Sequence, residues 1–355
     1  MNTVTIGDCV VGEGRPLYFV ADIAANHDGD LQRAYRLIEL AKEAGADAAK
    51  FQNFKAAKIV SKSGFEKIGG VSHQSNWKKP VFEVYAEASI PRDWTPLLKQ
   101  RCDQVGIEYF TSPYDFASVD EVDPYVRVFK IGSGDITWPG IIEHIAGKGK
   151  PVMLASGAST MDDVERAMNV LQRKTEQIVL MQCNTNYTAD VENFRFINLN
   201  VLKTFRRRWP KVVLGLSDHT HGHATVLGAV ALGARVFEKH FTDDNSRRGP
   251  DHHFAMNPSS WREMVDRATE VDLALGDGEK RIEDNERETA IVQRRSLRFA
   301  RNLRRGSTLT ASDLIPLRPI PEDGLPPYAV DQVVGRTLAR DVEIDDYLRA
   351  ADLTP

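Results

Sequence analysis

Eight times along the chain, a short run of β-branched, aromatic or small apolar residues is followed by a turn and then, in several units, a clear helical spacing of apolar positions. The runs are 18–24, 46–52, 107–111, 127–131, 151–155, 178–183, 212–216 and 235–241. This rhythm constrains the fold more than any other feature, because strands that alternate with helices assemble into parallel sheets with the helices packed outside. The helices carry their own punctuation. Asp30 precedes Leu31, Ala34, Leu37, Ile38 and Ala41, and Gly45 ends the pattern. Trp94, Leu97, Leu98, Arg101 and Val105 stop at Gly106. Thr160 with Asp163 forms an acidic variant of the capping box ahead of Val164, Ala167, Met168 and Leu171. Asn257 and Pro258 open a last helix through Trp261, Met264, Val265 and Ala268 to Gly276. Eight such units predict an α/β (β/α)₈ TIM barrel over residues 1–276. A doubly wound open sheet is the rival, but the lack of a Gly-rich dinucleotide turn favours closure.

After the barrel comes a charged stretch nearly free of apolar residues, read as a linker over 277–290. Beyond it, FARNLRRGSTLTASDL (299–314) aligns with LARDVEIDDYLRAADL (338–353), sharing Ala300/Ala339, Arg301/Arg340, Leu309/Leu348, Ala311/Ala350, Asp313/Asp352 and Leu314/Leu353. Residues 291–355 are thus expected to form a small pseudo-twofold domain. Its thin core implies support from the barrel or from another subunit.

Composition narrows the function classes. A formal net charge of −4 provides no global basic field for nucleic acid or an anionic membrane, so an anion must be bound locally. Cys9, Cys102 and Cys183 are widely spaced and in no C-x-x-C pattern, which fits reduced cysteines in the cytoplasm. Asp8 and Glu13 fall where a signal peptide needs an apolar stretch, and no run is long enough to span a membrane.

In TIM barrels the reactive groups gather at the C-terminal ends of the strands. Here those ends are polar: Asp22, Asn26 and His27 on the first; Lys50 and Gln52 on the second; Thr111 and Ser112 on the third; Lys130, Ser133 and Asp135 on the fourth. Ser156 follows on the fifth, Asn184, Asn186 and Tyr187 on the sixth, Ser217, Asp218 and His219 on the seventh, and Glu238, Lys239 and His240 on the eighth. A buried ammonium is costly unless it meets an anion. Lys50 and Lys130 either form structural ion pairs with Asp22, Asp135 or Glu238, or bind a small polyanion such as a phosphate ester with the nearby serines and amides. A Schiff-base lysine is a third option. His219 and His240 end adjacent strands, close enough for both imidazoles to bind one metal ion, or else to serve as two separately hydrogen-bonded histidines. His221, His223, His252 and His253 lie past the strands and are set aside.

At this level of detail the chain resembles the sialic acid synthases, including those for N-acetylneuraminic, legionaminic and pseudaminic acids. The matching stretches are ADIAANHDGD (21–30), AGADAAKFQ (44–52), FKIGSGD (129–135), LGLSDHT (214–220), GAVALGARVFEKHFT (228–242) and RGPDHHFAMNP (248–258). The tail is similar to their antifreeze-like (SAF, β-clip) domain, with LRPIPEDG (317–324) matching its arginine-bearing loop. The resemblance implies a transferase that condenses phosphoenolpyruvate with an N-acylated amino-sugar aldehyde. It implies that His219 and His240 hold Mn²⁺ or Mg²⁺, and that Asp22, Lys50, Lys130 and Asp135 are catalytic. Phosphoenolpyruvate would lie among Lys50, Ser112, Lys130, Ser133, Ser156, Asn184, Asn186 and Tyr187. Asp22, Asn76, Tyr187 and Arg318 would meet the sugar, Arg318 reaching the partner's site in a domain-swapped homodimer.

Two departures stand out. The family usually has Glu where this chain has Asp22 and Asp135, which shortens each reach by about 1.5 Å. Strand six reads CNTNY, with Thr185 at the family's asparagine and Asn184 and Asn186 on either side. The rival functions are a 3-deoxyoctulosonate- or 3-deoxyheptulosonate-phosphate type of synthase, a Schiff-base aldolase using pyruvate, and a non-catalytic sugar- or anion-binding homologue.

Overall fold

The computed structural model describes residues 2–69, 74, 77–188 and 190–354. It divides into two compact units, Met1–Gly276 and Asp277–Pro355.

The first unit begins with an antiparallel hairpin, β1 (Thr3–Ile6) and β2 (Cys9–Gly12), that the eightfold rhythm does not predict. Gly7 and Asp8 form its two-residue turn, and Gly7 has φ 59, a conformation that glycine adopts freely. Val4, Ile6 and Val11 join the barrel core. Thr5 N donates to Gln177 Oε1 just ahead of a barrel strand, so the hairpin covers the N-terminal end, opposite the reactive strand ends.

Eight parallel strands follow: β3 (Tyr18–Asp22), β4 (Ala48–Asn53), β5 (Glu108–Pro113), β6 (Phe129–Ile131), β7 (Val152–Ala155), β8 (Ile178–Cys183), β9 (Val213–Asp218) and β10 (Val236–His240). β10 pairs with β3 as well as β9, which closes the barrel. The TIM-barrel expectation is met. Nearly every strand residue is buried on both faces, as expected when helices cover a parallel barrel. The helix Leu31–Glu43 is capped by Asp30, whose side chain accepts from the backbone of Gln32 and Arg33, and it buries Ala34, Leu37, Ile38 and Ala41. Thr160 and Asp163 form the capping box of Met161–Gln172, and Asn257 caps Pro258–Ala274. Between β4 and the barrel helix Trp94–Val105, the described residues of the chain include the short helices Ala56–Ile59, Lys62–Ile68 and Val81–Ala88, an excursion from the barrel.

Within the second unit, residues 284–293, mostly exposed, form a 3₁₀ turn and a short helix. β11 (Ser296–Phe299) pairs antiparallel with β12 (Leu314–Leu317). The internal repeat is also a repeat of bonds. Arg301 Nε donates to Asp313 at 2.8 Å and Arg340 Nε to Asp352 at 2.6 Å. Ala300 N donates to Asp313 O and Ala339 N to Asp352 O, and Leu303 and Val342 exchange backbone bonds. Leu309 and Leu348 sit in one small core with Leu297, Phe299, Leu338 and Leu353.

No helix among the described residues is long and apolar enough to cross a membrane.

Candidate active site

The C-terminal ends of the strands surround a cavity of about 410 Å³. Alternation along each strand sorts the side chains. Lys50, Gln52, Ser217, His219, Glu238 and His240 line the cavity, whereas Lys239, between Glu238 and His240, bonds instead to Asp218 and to Thr220 O.

Glu238 is the hub of the floor. Its Oε1 accepts from Lys130 Nζ at 3.0 Å and Ser217 Oγ at 3.2 Å, and lies 3.3 Å from Lys50 Nζ. Lys50 Nζ also lies 2.6 Å from Asp22 Oδ2. Both lysines are 2 % exposed. Burial works against the Lys50 ammonium, but Asp22 and Glu238 outweigh it and hold its pKa above the ordinary lysine value. Burial likewise opposes the Glu238 carboxylate, yet Lys130 and Lys50 bring it down to about 2. Asp22 goes the other way: burial, with the Glu238 charge adding to it, lifts its carboxyl despite Lys50. The acids offered as lysine partners are therefore present for Asp22 and Glu238. Asp135 has no ion-pair partner among the described residues, and burial raises it to about 6.

His219 and His240 stand side by side, ring centroids 5.3 Å apart. Burial lowers their pKa values to about 3 and about 4, so both are neutral near pH 7. His219 Nδ1 lies 2.9 Å from Asn184 O, a bond in which N–H donates, leaving Nε2 as the lone-pair nitrogen. His240 Nε2 is 3.6 Å from Asp22 Oδ2 and its Nδ1 is 3.8 Å from Asp251 Oδ2. Among the described residues, three buried polar atoms around the cavity, Ser112 Oγ, Glu238 Oε2 and His240 Nδ1, find no hydrogen-bond partner. Such atoms mark a place where a ligand completes the bonding. Among the described residues no group of three or more His, Cys, Asp or Glu side chains is arranged to hold a metal ion. The two neutral imidazoles still fit one as a two-nitrogen set, with water or substrate oxygens completing the shell.

Of the residues singled out from sequence, Asp22, Lys50, Ser112, Lys130, Ser133, Asp135, Tyr187, His219 and His240 converge on this cavity. Tyr187 packs against both imidazoles, its ring centroid 4.3 Å from His219. Three others do not line it. Ser156 Oγ donates to Met181 O, Asn184 Nδ2 reaches Phe196 O while its carbonyl holds His219, and Asn186 Oδ1 accepts from Thr188. Asn76 lies outside the described residues, and Arg318 belongs to the second unit. Thr185, noted from sequence as standing at the family's asparagine, lines the cavity, and so do residues not singled out for the site: Tyr114, Cys183, Asp251, and, from the excursion, Trp77 and Tyr85. Asp251 could have been noticed beside the His252–His253 pair, while nothing in the sequence marked Tyr85.

The NeuB family profile matches residues 37–280 and the SAF domain profile matches 294–354. The chain belongs to the NeuB family. It is 33 % identical over 334 residues to the N,N'-diacetyllegionaminic acid synthase of Legionella pneumophila, covering 92 % of each chain. It is 30 % identical to human N-acetylneuraminate-9-phosphate synthase, covering 95 % of this chain and 92 % of that one. The crystal structure of N-acetylneuraminic acid synthetase from Leptospira borgpetersenii, in complex with citrate, superposes with a TM-score of 0.71 at 27 % identity, over 81 % of this chain and 94 % of that one. Its NeuB relatives are thus sialic-acid-type synthases.

Proposed function

We propose that the protein is a transferase that condenses phosphoenolpyruvate with the open-chain aldehyde of an N-acylated amino sugar, forming a nonulosonate and releasing phosphate by C–O cleavage. The observation that carries this reading is the convergence of two buried lysines and two neutral histidines on one cavity whose polar atoms are partly unsatisfied.

Lys50 and Lys130, with the hydroxyls of Ser112 and Ser133, hold the anionic groups of phosphoenolpyruvate. Tyr187, Asp22 and, in a domain-swapped homodimer, Arg318 orient the sugar. Ser156, Asn184 and Asn186 act from behind this layer, Asn184 by fixing His219. His219 and His240 would hold Mn²⁺ or Mg²⁺, which supplies Lewis acidity toward the aldehyde oxygen when bound. The enol carbon attacks the aldehyde carbon: the enol π pair forms the C–C bond, the carbonyl π pair moves onto the aldehyde oxygen, which takes a proton to become a hydroxyl, and positive charge grows on the carbon that bears the phosphate ester. Water adds there, and Asp135, mostly ionised at neutral pH with its value near 6, takes the proton. The C–O bond to phosphate then breaks, its electron pair leaving with phosphate, while the added hydroxyl gives up its proton as the keto group forms. Lys50 stays an ammonium beside two acids, which favours anion binding over Schiff-base chemistry, since a Schiff-base amine must be neutral.

We assign catalysis to residues 1–276 and read 277–290 as a linker to a SAF domain at 291–355, with the enzyme acting in the cytoplasm. The test is release of inorganic phosphate from phosphoenolpyruvate, Mn²⁺ and a panel of N-acylhexosamines, with the product mass measured. Acceptor-dependent phosphate release supports the reading. Its absence across the panel supports a non-catalytic sugar- or anion-binding protein, and borohydride trapping of a substrate on lysine would point to a pyruvate aldolase.

A further inference from the structure

The helix Val81–Ala88 differs from those that pack on the barrel. Its apolar positions Val84, Tyr85 and Ala88 fall on one helical face, yet none of its residues is fully buried, because that face borders the cavity. Phe54, Ile59 and Trp77 extend the surface, with ring centroids 5.5 Å apart between Phe54 and Tyr85 and 6.4 Å between Trp77 and Tyr85. An apolar face left open to a cavity is unfavourable until a ligand covers it.

The charges lie elsewhere. Among the described lining residues the cations are Lys50 and Lys130, both on the floor within ion-pair distance of an acid. Away from the floor, Asp251 and Asp135 are acids. Other polar lining groups among the described residues, including Gln52, Gln74, and the hydroxyls of Tyr85 and of Tyr114, whose ring lies 5.9 Å from that of Phe54, are uncharged. Amide and hydroxyl groups beside apolar carbon suit a substituent that joins an amide to a methyl group. A dianionic group there would lose water and meet acids instead of cations.

We infer that the wall built by Phe54, Ile59, Trp77, Val84, Tyr85 and Ala88 selects an uncharged acceptor, taking an acylamino or deoxy substituent and rejecting a phosphorylated one. This rests on the condensation proposed above. Arg318, proposed there as a sugar contact, is the one further cation that reading brings, and its variant belongs in the test.

The experiment measures kcat/KM with phosphoenolpyruvate and Mn²⁺ for N-acetylmannosamine, its 6-phosphate, and a 2,4-diacetamido-6-deoxyhexose. Both uncharged acceptors should exceed the 6-phosphate by at least about tenfold, the scale on which pockets discriminate single groups. Val84→Lys should raise KM for the uncharged acceptors about tenfold or more and shrink the preference against the phosphate, with KM for phosphoenolpyruvate held within about threefold. Val84→Met, which keeps an apolar surface, should retain the wild-type order, and Arg318→Ala should not reverse it. Preference of the wild-type enzyme for the 6-phosphate would overturn the inference and leave the condensation intact. So would a Val84→Lys effect on phosphoenolpyruvate alone. No phosphate release with any acceptor would overturn both.

Discussion

Asp135 lines the cavity with no ion-pair partner among the described residues, and burial carries its pKa to about 6. If it takes the water's proton, kcat/KM should fall on the acid side of an apparent pKa near 6, because the protonated carboxyl cannot accept. Asp135→Asn should then lower kcat about 10²–10⁴-fold, the usual range for a lost general base, and remove that acid limb. A pH–rate profile of the variant checks this, and an unchanged limb would assign the proton elsewhere. His27 provides a second titration, one of stability. It is buried against Trp94, its Nε2 has no hydrogen-bond partner among the described residues, and burial lowers its pKa to about 4. A folded value below the unfolded one means that its contribution is fully present above pH 6.5 and is lost as pH falls toward 4. In urea unfolding, the loss of stability from pH 7 to 4.5 should be smaller in His27→Gln by about 2 kcal/mol. Equal losses would contradict the assignment. Residues of this kind were legible where strand parity exposed them: Lys50 with Gln52 and Glu238 with His240 are pairs two apart, hence on one face. Parity could not show that Glu238 joins both lysines, nor that Ser156 turns its hydroxyl to a neighbouring carbonyl, because these depend on which strand lies beside which.

At the level of elements, the two histidines are kept in place from behind. Lys239 bonds to Asp218 and to Thr220 O at 2.6 Å, while Thr220 and Thr225 donate to Asp218 Oδ2 at 2.8 and 2.7 Å. This fully buried pair joins the ends of β9 and β10 one residue from His219 and His240. Lys239→Met leaves the Asp218 charge buried and should cost about 3–5 kcal/mol of stability. Adding Asp218→Leu should recover much of that loss. Chemical denaturation of the single and double variants measures the difference, and additive losses would show that the residues do not act as a pair. The barrel strands and capped helices could be read in advance because their patterns are local: alternation, caps and stop glycines. The N-terminal hairpin carried a signal of its own, Gly7-Asp8 between short apolar alternations, but lay outside the eightfold repeat. The helix Val81–Ala88 shows helical spacing too, and only the fold reveals that its apolar face borders a cavity.

For the whole molecule, the barrel supplies the lysines and histidines, and the SAF domain, in the swapped dimer proposed above, supplies Arg318. Deleting residues 291–355 should therefore impair use of the sugar more than binding of phosphoenolpyruvate, measured by acceptor KM and by calorimetric titration. Equal loss of both would count against the swapped arginine. The chain divides into two compact units after Gly276, where the sequence turns charged, and the charged stretch and the internal repeat beyond it are properties of composition and order. The role of Arg318 rests on the dimer proposed above, since an assembly is not encoded in local pattern. The central claim is condensation with C–O cleavage, and it has a direct isotopic test. Phosphoenolpyruvate labelled with oxygen-18 at the bridging oxygen, turned over with Mn²⁺ and an accepted amino sugar, should release phosphate that carries the label. Unlabelled phosphate, with the label retained in the sugar acid, would contradict the account.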